Sequence, residues 1–141
     1  MIKNEKQYGV TKNNLKKFQD AIKVILESNS SKNPLLLKLQ LDSIQSQIDI
    51  FEEEIKMYEG LKKGEITNVS RGFQDLSNGI IESRIARGFN QKQFAELLQT
   101  SEQQVQKYEA ENYSNISLKR LQEMVIALDV DVDVTFNFTK K

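Results

Sequence analysis

The chain reads as all-α, with a short β-strand confined to its C-terminal end. Three observations predict this. The 141 residues include one proline and six glycines, so little interrupts helix formation. Leu37, Leu41, Ile44, Ile48, Phe51, Ile55 and Tyr58 recur at spacings of 4, 3, 4, 3, 4 and 3, a heptad seam of about three repeats. After Leu128 the period changes to two. Val130, Val132, Val134, Phe136 and Phe138 then alternate with Asp129, Asp131, Asp133, Thr135 and Asn137, giving one apolar and one polar face. The predicted divisions are a helical hairpin over 1–63, a linker over 64–72, a five-helix domain over 73–130 and a strand or tail over 131–141.

In the hairpin, Thr11 is a plausible N-cap for a helix carrying Leu15, Phe18, Ile22 and Ile25, widened by Leu26. The turn-rich stretch Ser28–Pro34 ends it, and Pro34 suits the first turn of the next helix. From Leu35 to Glu59 that second helix reaches ~37 Å. Two helices on a short turn favour an antiparallel hairpin. The seam can be filled by the first helix, by a second copy of the chain, or by both. A seam of about 25 residues exceeds what a helix of about 15 covers, which favours dimerisation. The linker is marked by Gly60, Gly64 and Gly72 among Lys62, Lys63, Thr67, Asn68, Ser70 and Arg71.

Helical segments are expected at approximately 74–87, 91–98, 102–109 and 118–128, with a turn at 112–116. A lone strand after them leaves backbone groups unpaired. Its partner is the same strand of a second copy, the Ile2–Val10 stretch, or another protein. The three alternating aspartates share one strand face, where they discourage edge-to-edge aggregation or meet a basic partner.

Composition excludes several function classes. The chain is 38% apolar and 28% charged, which is globular composition. Twenty basic and twenty acidic residues cancel, so it is no polycation holding nucleic acid by charge alone. Cysteine and histidine are absent, which removes disulfides, thiol nucleophiles, histidine triads and histidine-ligated metals. The run Glu52-Glu53-Glu54 is a solvated helix face, since consecutive helix residues do not converge on a cation. Gly60–Gly64 lacks the phosphate-loop pattern. No catalytic residue, metal site or cofactor is expected, and the chain is not expected to be an enzyme. Met1–Gln7 has no apolar leader stretch and no aliphatic run approaches membrane-spanning length, so a cytoplasmic protein without membrane association is expected.

The informative stretch is Arg87–Glu109. Asn90 is a good N-cap for a helix with Phe94, Ala95 and Leu98 on one face, and Ala95 is small enough for a close crossing. Gln99-Thr100-Ser101 is a tight turn that ends in a second N-cap, Ser101. The following helix buries Val105 and Tyr108 and points Glu102, Gln103, Gln104, Gln106 and Lys107 outward. Two short helices on a three-residue turn make a helix-turn-helix. Glutamine pairs with adenine through two hydrogen bonds, and lysine with the acceptors of guanine, so the outer face suits the DNA major groove.

This pattern resembles the Cro/lambda-repressor-like (XRE) helix-turn-helix family. Gln91, Phe94-Ala95, Leu98, Thr100-Ser101, Val105 and Tyr108-Glu109 carry the resemblance. Leu118, Leu121 and Val125–Leu128, followed by Asp129-Val130, match the family's closing helix. It extends over about 55–60 residues from near Leu76. Gln99 departs from it, since the family usually has glycine there, and so has to adopt a left-handed backbone at a cost of ~1 kcal/mol.

The resemblance implies a lambda-repressor-like DNA-binding domain and roles for its residues. Gln91 hydrogen-bonds a phosphate and buttresses the recognition helix. Glu102, Gln103 and Lys107 face bases, and Gln104 and Gln106 reach bases or phosphates. Ser101, Asn112, Tyr113 and Asn115 lie near the sugar-phosphate backbone, with Arg84, Arg87, Lys92 and Lys119 as outer phosphate contacts. The whole chain, with its helical extension, Tyr108-Glu109-Ala110 and Ser117–Leu121, looks like HigA-type antitoxins. That likeness implies a homodimeric, autoregulating repressor of palindromic operator DNA, with a toxin as protein partner. The alternative is a module that sequesters a partner protein, with DNA contact secondary.

Overall fold

The computed structural model describes residues 1–28 and 33–138, which form two compact units, 1–67 and 68–141. All regular structure among the described residues is helical. The expected break at Ser28–Pro34 falls partly on residues 29–32, which lie outside the described residues, as do 139–141 of the expected tail.

The first unit pairs α1 (Glu5–Glu27) with α2 (Pro34–Lys63). Asn4, not Thr11, caps α1: its side chain accepts the backbone N–H of Gln7 at 2.9 Å, and Thr11 lies inside the helix. Of the three candidate partners for the C-terminal strand, the Ile2–Val10 stretch is removed, because it is helical from Glu5 onward. The Asn4 side chain satisfies one of the N–H groups that the first turn of a helix leaves without a partner.

The longer helix matters for the seam. Tyr8 stacks on Tyr58 with ring centroids 5.2 Å apart, and Phe18 meets Phe51 edge-on at 5.4 Å, so α1 runs antiparallel to α2. At 23 residues, α1 is long enough to lie along the whole seam. Leu37, Leu41, Ile44, Phe51 and Ile55 are half-buried, and Ile48 and Tyr58 fully buried. The length argument for a second copy here thus loses its premise, because the first helix is not 15 residues but 23.

The open end of the hairpin is tied by polar groups. The Tyr58 hydroxyl donates to the Glu5 carboxylate at 3.0 Å, which also pairs with the Lys62 ammonium. These bonds, that to Lys62 foremost, hold the Glu5 carboxyl below the usual carboxylate range. A carboxyl whose folded pKa is depressed stabilises the fold above its unfolded value, and that contribution fades as pH falls through the folded value. On lowering the pH from about 6 to about 3, the far-UV melting temperature of the wild type is expected to fall more than that of Glu5→Gln. Parallel pH profiles for the two proteins would remove Glu5 from this role.

The second unit contains a 3-10 turn (Phe73–Asp75) running into α3 (Leu76–Ala86), then α4 (Gln91–Leu97), α5 (Glu102–Ala110) and α6 (Leu118–Leu128). Its core comprises Ile80, Ile81 and Ile85 of α3, Phe94, Ala95 and Leu98 at α4, Val105 of α5, and Met124 and Leu128 of α6, all buried. The linker is anchored from its own side. Arg71 donates from Nε to the Glu82 carboxylate at 3.0 Å, and Glu82 is almost fully buried.

The helix count expected for this unit is corrected. The unit has four α-helices among the described residues, not five. Residues 111–115 form the turn expected near 112–116, with Asn112 and Tyr113 both left-handed at φ of 51° and 55°. Among the described residues, 130–138 form no strand. The period-two pattern supplies the faces of a strand but not the facing edge that its backbone groups need, and no described segment provides one.

Candidate nucleic-acid interface

Each helix of the second unit that bears on the interface has an N-cap chosen by sequence. Asn90 and Gln93 form a reciprocal capping box on α4: Asn90 accepts the Gln93 N–H at 2.8 Å, and Gln93 accepts the Asn90 N–H at 3.0 Å. Ser101 accepts the Gln104 N–H at 3.2 Å to start α5, and Ser117 accepts the Arg120 N–H at 3.2 Å to start α6.

The C-terminal ends close alike. Thr100 N–H reaches back to the Ala95 carbonyl at 3.0 Å and Gln99 N–H to Glu96 at 3.1 Å, a Schellman turn with Gln99 left-handed at φ 52°. The same pair of bonds ends α5 through Tyr113 to Tyr108 and Asn112 to Glu109. Gln99 therefore adopts the conformation its position requires, without glycine's freedom. Gln99→Gly is expected to raise the unfolding free energy by about 0.5–1 kcal/mol, read from urea denaturation; a loss of stability would contradict a strained turn.

Beneath α5 lies a buried ionic clamp. Arg84 on α3 donates from Nε to Glu109 Oε1 at 2.7 Å and from Nη2 to Oε2 at 3.2 Å, a bidentate pair. Gln91 on α4 donates from Nε2 to Glu109 Oε2 at 2.7 Å. Arg84 Nη1 also reaches the Phe89 carbonyl at 2.9 Å. Arg84 is 2% exposed and Glu109 1%. One carboxylate on α5 is thus gripped from both preceding helices, which fixes the helix in rotation as well as position.

Packing finishes the seat. Val105 is buried against α4, and the Tyr108 ring stacks on Tyr113 with centroids 6.1 Å apart. Burial and the nearby Glu109 carboxylate push the Tyr113 hydroxyl up from its ordinary pKa. Arg120 donates to the Leu98 carbonyl at 2.9 Å, tying α6 to the end of α4.

The opposite face of α5 is open. Ser101, Glu102, Gln103, Gln106 and Lys107 are exposed and Gln104 is half-buried. Gln106 donates to Glu102 at 3.2 Å, and Lys107 lies 3.9 Å from Glu111. Both are exposed, short-range pairs that stabilise little and exchange readily for a ligand. Residues 102, 103, 106, 107 and 110 follow the helical period, so the side chains able to read bases form one stripe, opposite Val105 and Glu109.

Several expected contacts lie elsewhere. Gln91 is 7% exposed, with its amide given to Glu109, so it serves the recognition helix from below and does not stand at the surface for a phosphate. Arg84 is buried in the clamp and is not an outer phosphate contact. Arg87 donates to the Leu128 carbonyl at 2.8 Å and pairs with Asp129, so it staples α3 to the end of α6. Tyr113 is 6% exposed and belongs to the core. Lys92 and Lys119 remain exposed, as do Asn112 and Asn115.

Sequence reasoning missed the clamp, although its halves were marked. Arg84 lies four residues after Ile80 and Glu109 four after Val105, so each charge occupies a position that the apolar period assigns to the core. Opposite charges at two such positions are the signal; that they meet each other is visible only in the fold.

Residues 80–134 match the model of the helix-turn-helix family. The match supports an XRE-type helix-turn-helix in this segment and, with it, a DNA-binding regulator. Neither the curated proteins nor the solved structures yield a match to the chain. No described helix is long and apolar enough to cross a membrane.

Proposed function

We propose that this helix-turn-helix segment makes the chain a sequence-specific transcriptional repressor, binding operator DNA as a homodimer with α5 in the major groove. The observation that carries the reading is the contrast between the two sides of α5. One side is locked by the Arg84–Glu109–Gln91 clamp, while the other presents Glu102, Gln103, Gln106 and Lys107 to solvent. A rigid rod with amide and ammonium groups in one stripe is what base-edge recognition needs. Lys92 and Lys119 are exposed and would supply phosphate contacts, and Ser101 lies at the N-terminal end of the rod.

Two copies follow from charge. Between Arg84 and Arg120, once Arg84 and Glu109 cancel inside, only five basic residues stand against three acidic ones, and counterion release scales with the number of phosphates neutralised. Two domains on half-sites about 34 Å apart double that term. The chain acts by binding and not by catalysis, in the cytoplasm, without metal or cofactor. Titrating the protein into labelled DNA from upstream of its own gene tests the reading. A saturable shift that survives excess unrelated DNA is expected, with a steep salt dependence. Equal affinity for every duplex would overturn it.

The helical hairpin favours a second role, as an antitoxin that holds a protein partner. Val24, Leu26, Leu35, Leu36 and Leu39 are all more than half exposed, although they lie on a hairpin whose seam is already covered. Surplus apolar surface of this kind marks a protein-binding site. Co-purification of the product of the adjacent gene at fixed stoichiometry, lost on Leu35→Lys/Leu39→Lys, is the expected result. A partner held but no DNA preference would leave the sequestering module as the function.

A further inference from the structure

The C-terminal segment carries an unused pattern. Val132, Val134, Phe136 and Phe138 are 45%, 58%, 78% and 92% exposed, at every second residue, with no strand beside them. Just upstream, Ile126 and Leu118 on α6 are 77% and 69% exposed. The Val130 N–H still bonds back to the Val125 carbonyl of α6 at 3.4 Å, and beyond it a row of apolar side chains with no strand partner invites an edge to pair with it.

Charge placement selects the partner. Along the polar face, the acids are gathered at the start, at Asp129, Asp131 and Asp133, and neutral hydrogen-bonding residues follow, at Thr135 and Asn137. A parallel in-register pairing of two copies stacks aspartate on aspartate. An antiparallel pairing centred on Val134 does the opposite. Asp133 then faces Thr135 and Asp131 faces Asn137. On the other face Val132 meets Phe136, Val130 meets Phe138, and Val134 meets its own copy. Aromatic and β-branched residues directly opposite are favourable cross-strand pairs, and like charges opposite are not. Shifting the register by one residue sets every apolar side chain against a polar one. Moving the centre to Asp133 places that carboxylate against itself.

We infer that residues 130–138 form an antiparallel β-ribbon with the same segment of a second copy, centred on Val134, and that this ribbon is a dimer contact of the protein. The inference rests on the dimeric reading above and names the segment responsible. A two-stranded ribbon is marginal by itself. The exposed Ile126 and Leu118 of each copy supply apolar surface for its Val/Phe face.

The chain contains no cysteine, so an introduced thiol reports on its own position. In the full-length protein, Val134→Cys lies directly opposite its mate, at about 4.5–5.5 Å between Cβ atoms. Val132→Cys lies about 14 Å from its mate along the ribbon, beyond disulfide reach. Mild oxidation is expected to cross-link Val134→Cys at least tenfold faster than Val132→Cys, and to cross-link the Val132→Cys/Phe136→Cys double variant as well. In sedimentation equilibrium, Val134→Asp is expected to raise the dimer dissociation constant at least tenfold. A monomeric wild type, equal cross-linking at 132 and 134, or a dimer indifferent to Val134→Asp each overturns the ribbon. In the last case, the dimeric reading stands and only its location is lost. Loss of operator binding by a protein whose ribbon still forms would sink the repressor reading instead.

Discussion

Replacing Gln103 and Lys107 together by alanine is expected to abolish the preference for operator over random DNA while leaving the protein folded. Both side chains are exposed on the stripe of α5 that faces away from Val105 and Glu109, and neither takes part in the clamp. Each good bidentate contact to a base contributes about 1–3 kcal/mol of discrimination. Losing both amounts to a factor of roughly 30 to 10⁴ in the specificity ratio. Nonspecific affinity, set by phosphate contacts, should fall only by the share of the one lost ammonium. Competitive binding measurements at two salt concentrations separate these effects. An unchanged ratio in the double variant would take both residues out of base recognition.

The second large effect is expected at the buried clamp. Glu109→Ala leaves the Arg84 guanidinium almost without solvent and without its carboxylate, and removes the Glu109 acceptor from Gln91. Removing one member of a buried pair costs about 3–5 kcal/mol, a large share of the roughly 5–15 kcal/mol that holds a domain folded. Replacing both charges, as Arg84→Met/Glu109→Leu, should recover most of that loss, since the penalty comes from the orphaned charge more than from the lost attraction. If the double variant also binds operator less selectively than wild type at equal stability, the clamp sets the orientation of α5. Denaturant melts of the single and double variants, with operator binding measured alongside, check both points. A Glu109→Ala protein that loses less than about 1 kcal/mol, as ordinary surface substitutions do, would mean that solvent reaches Arg84.

Much of this was legible along the chain. Asn90 and Ser101 are short polar residues ahead of apolar periods, and each caps the helix it announces. The left-handed backbone at Gln99, which the resemblance implies because glycine is usual there, is present in the structure. Val105 and the outer stripe of α5 follow from the 3.6-residue period. The start of α1 did not, because Lys6, Gln7 and Lys12 are polar and the apolar period begins only at Leu15; the cap at Asn4 and the docking of Tyr8 on Tyr58 extend the helix forward. The turn near 112–116 was legible, but its two consecutive left-handed residues, Asn112 and Tyr113, were not.

What the sequence determined by itself is local: where helices start, how they stop, and which of their faces are wet, because capping and periodicity act over a few residues. Tertiary structure alone decided which buried charges meet. Arg84, Gln91 and Glu109 lie on three different helices, and only their packing turns two forbidden core charges into the clamp that seats α5. The same holds for the heptad seam, which any apolar stripe of matching length could have covered, and which α1 covers because it proved long enough.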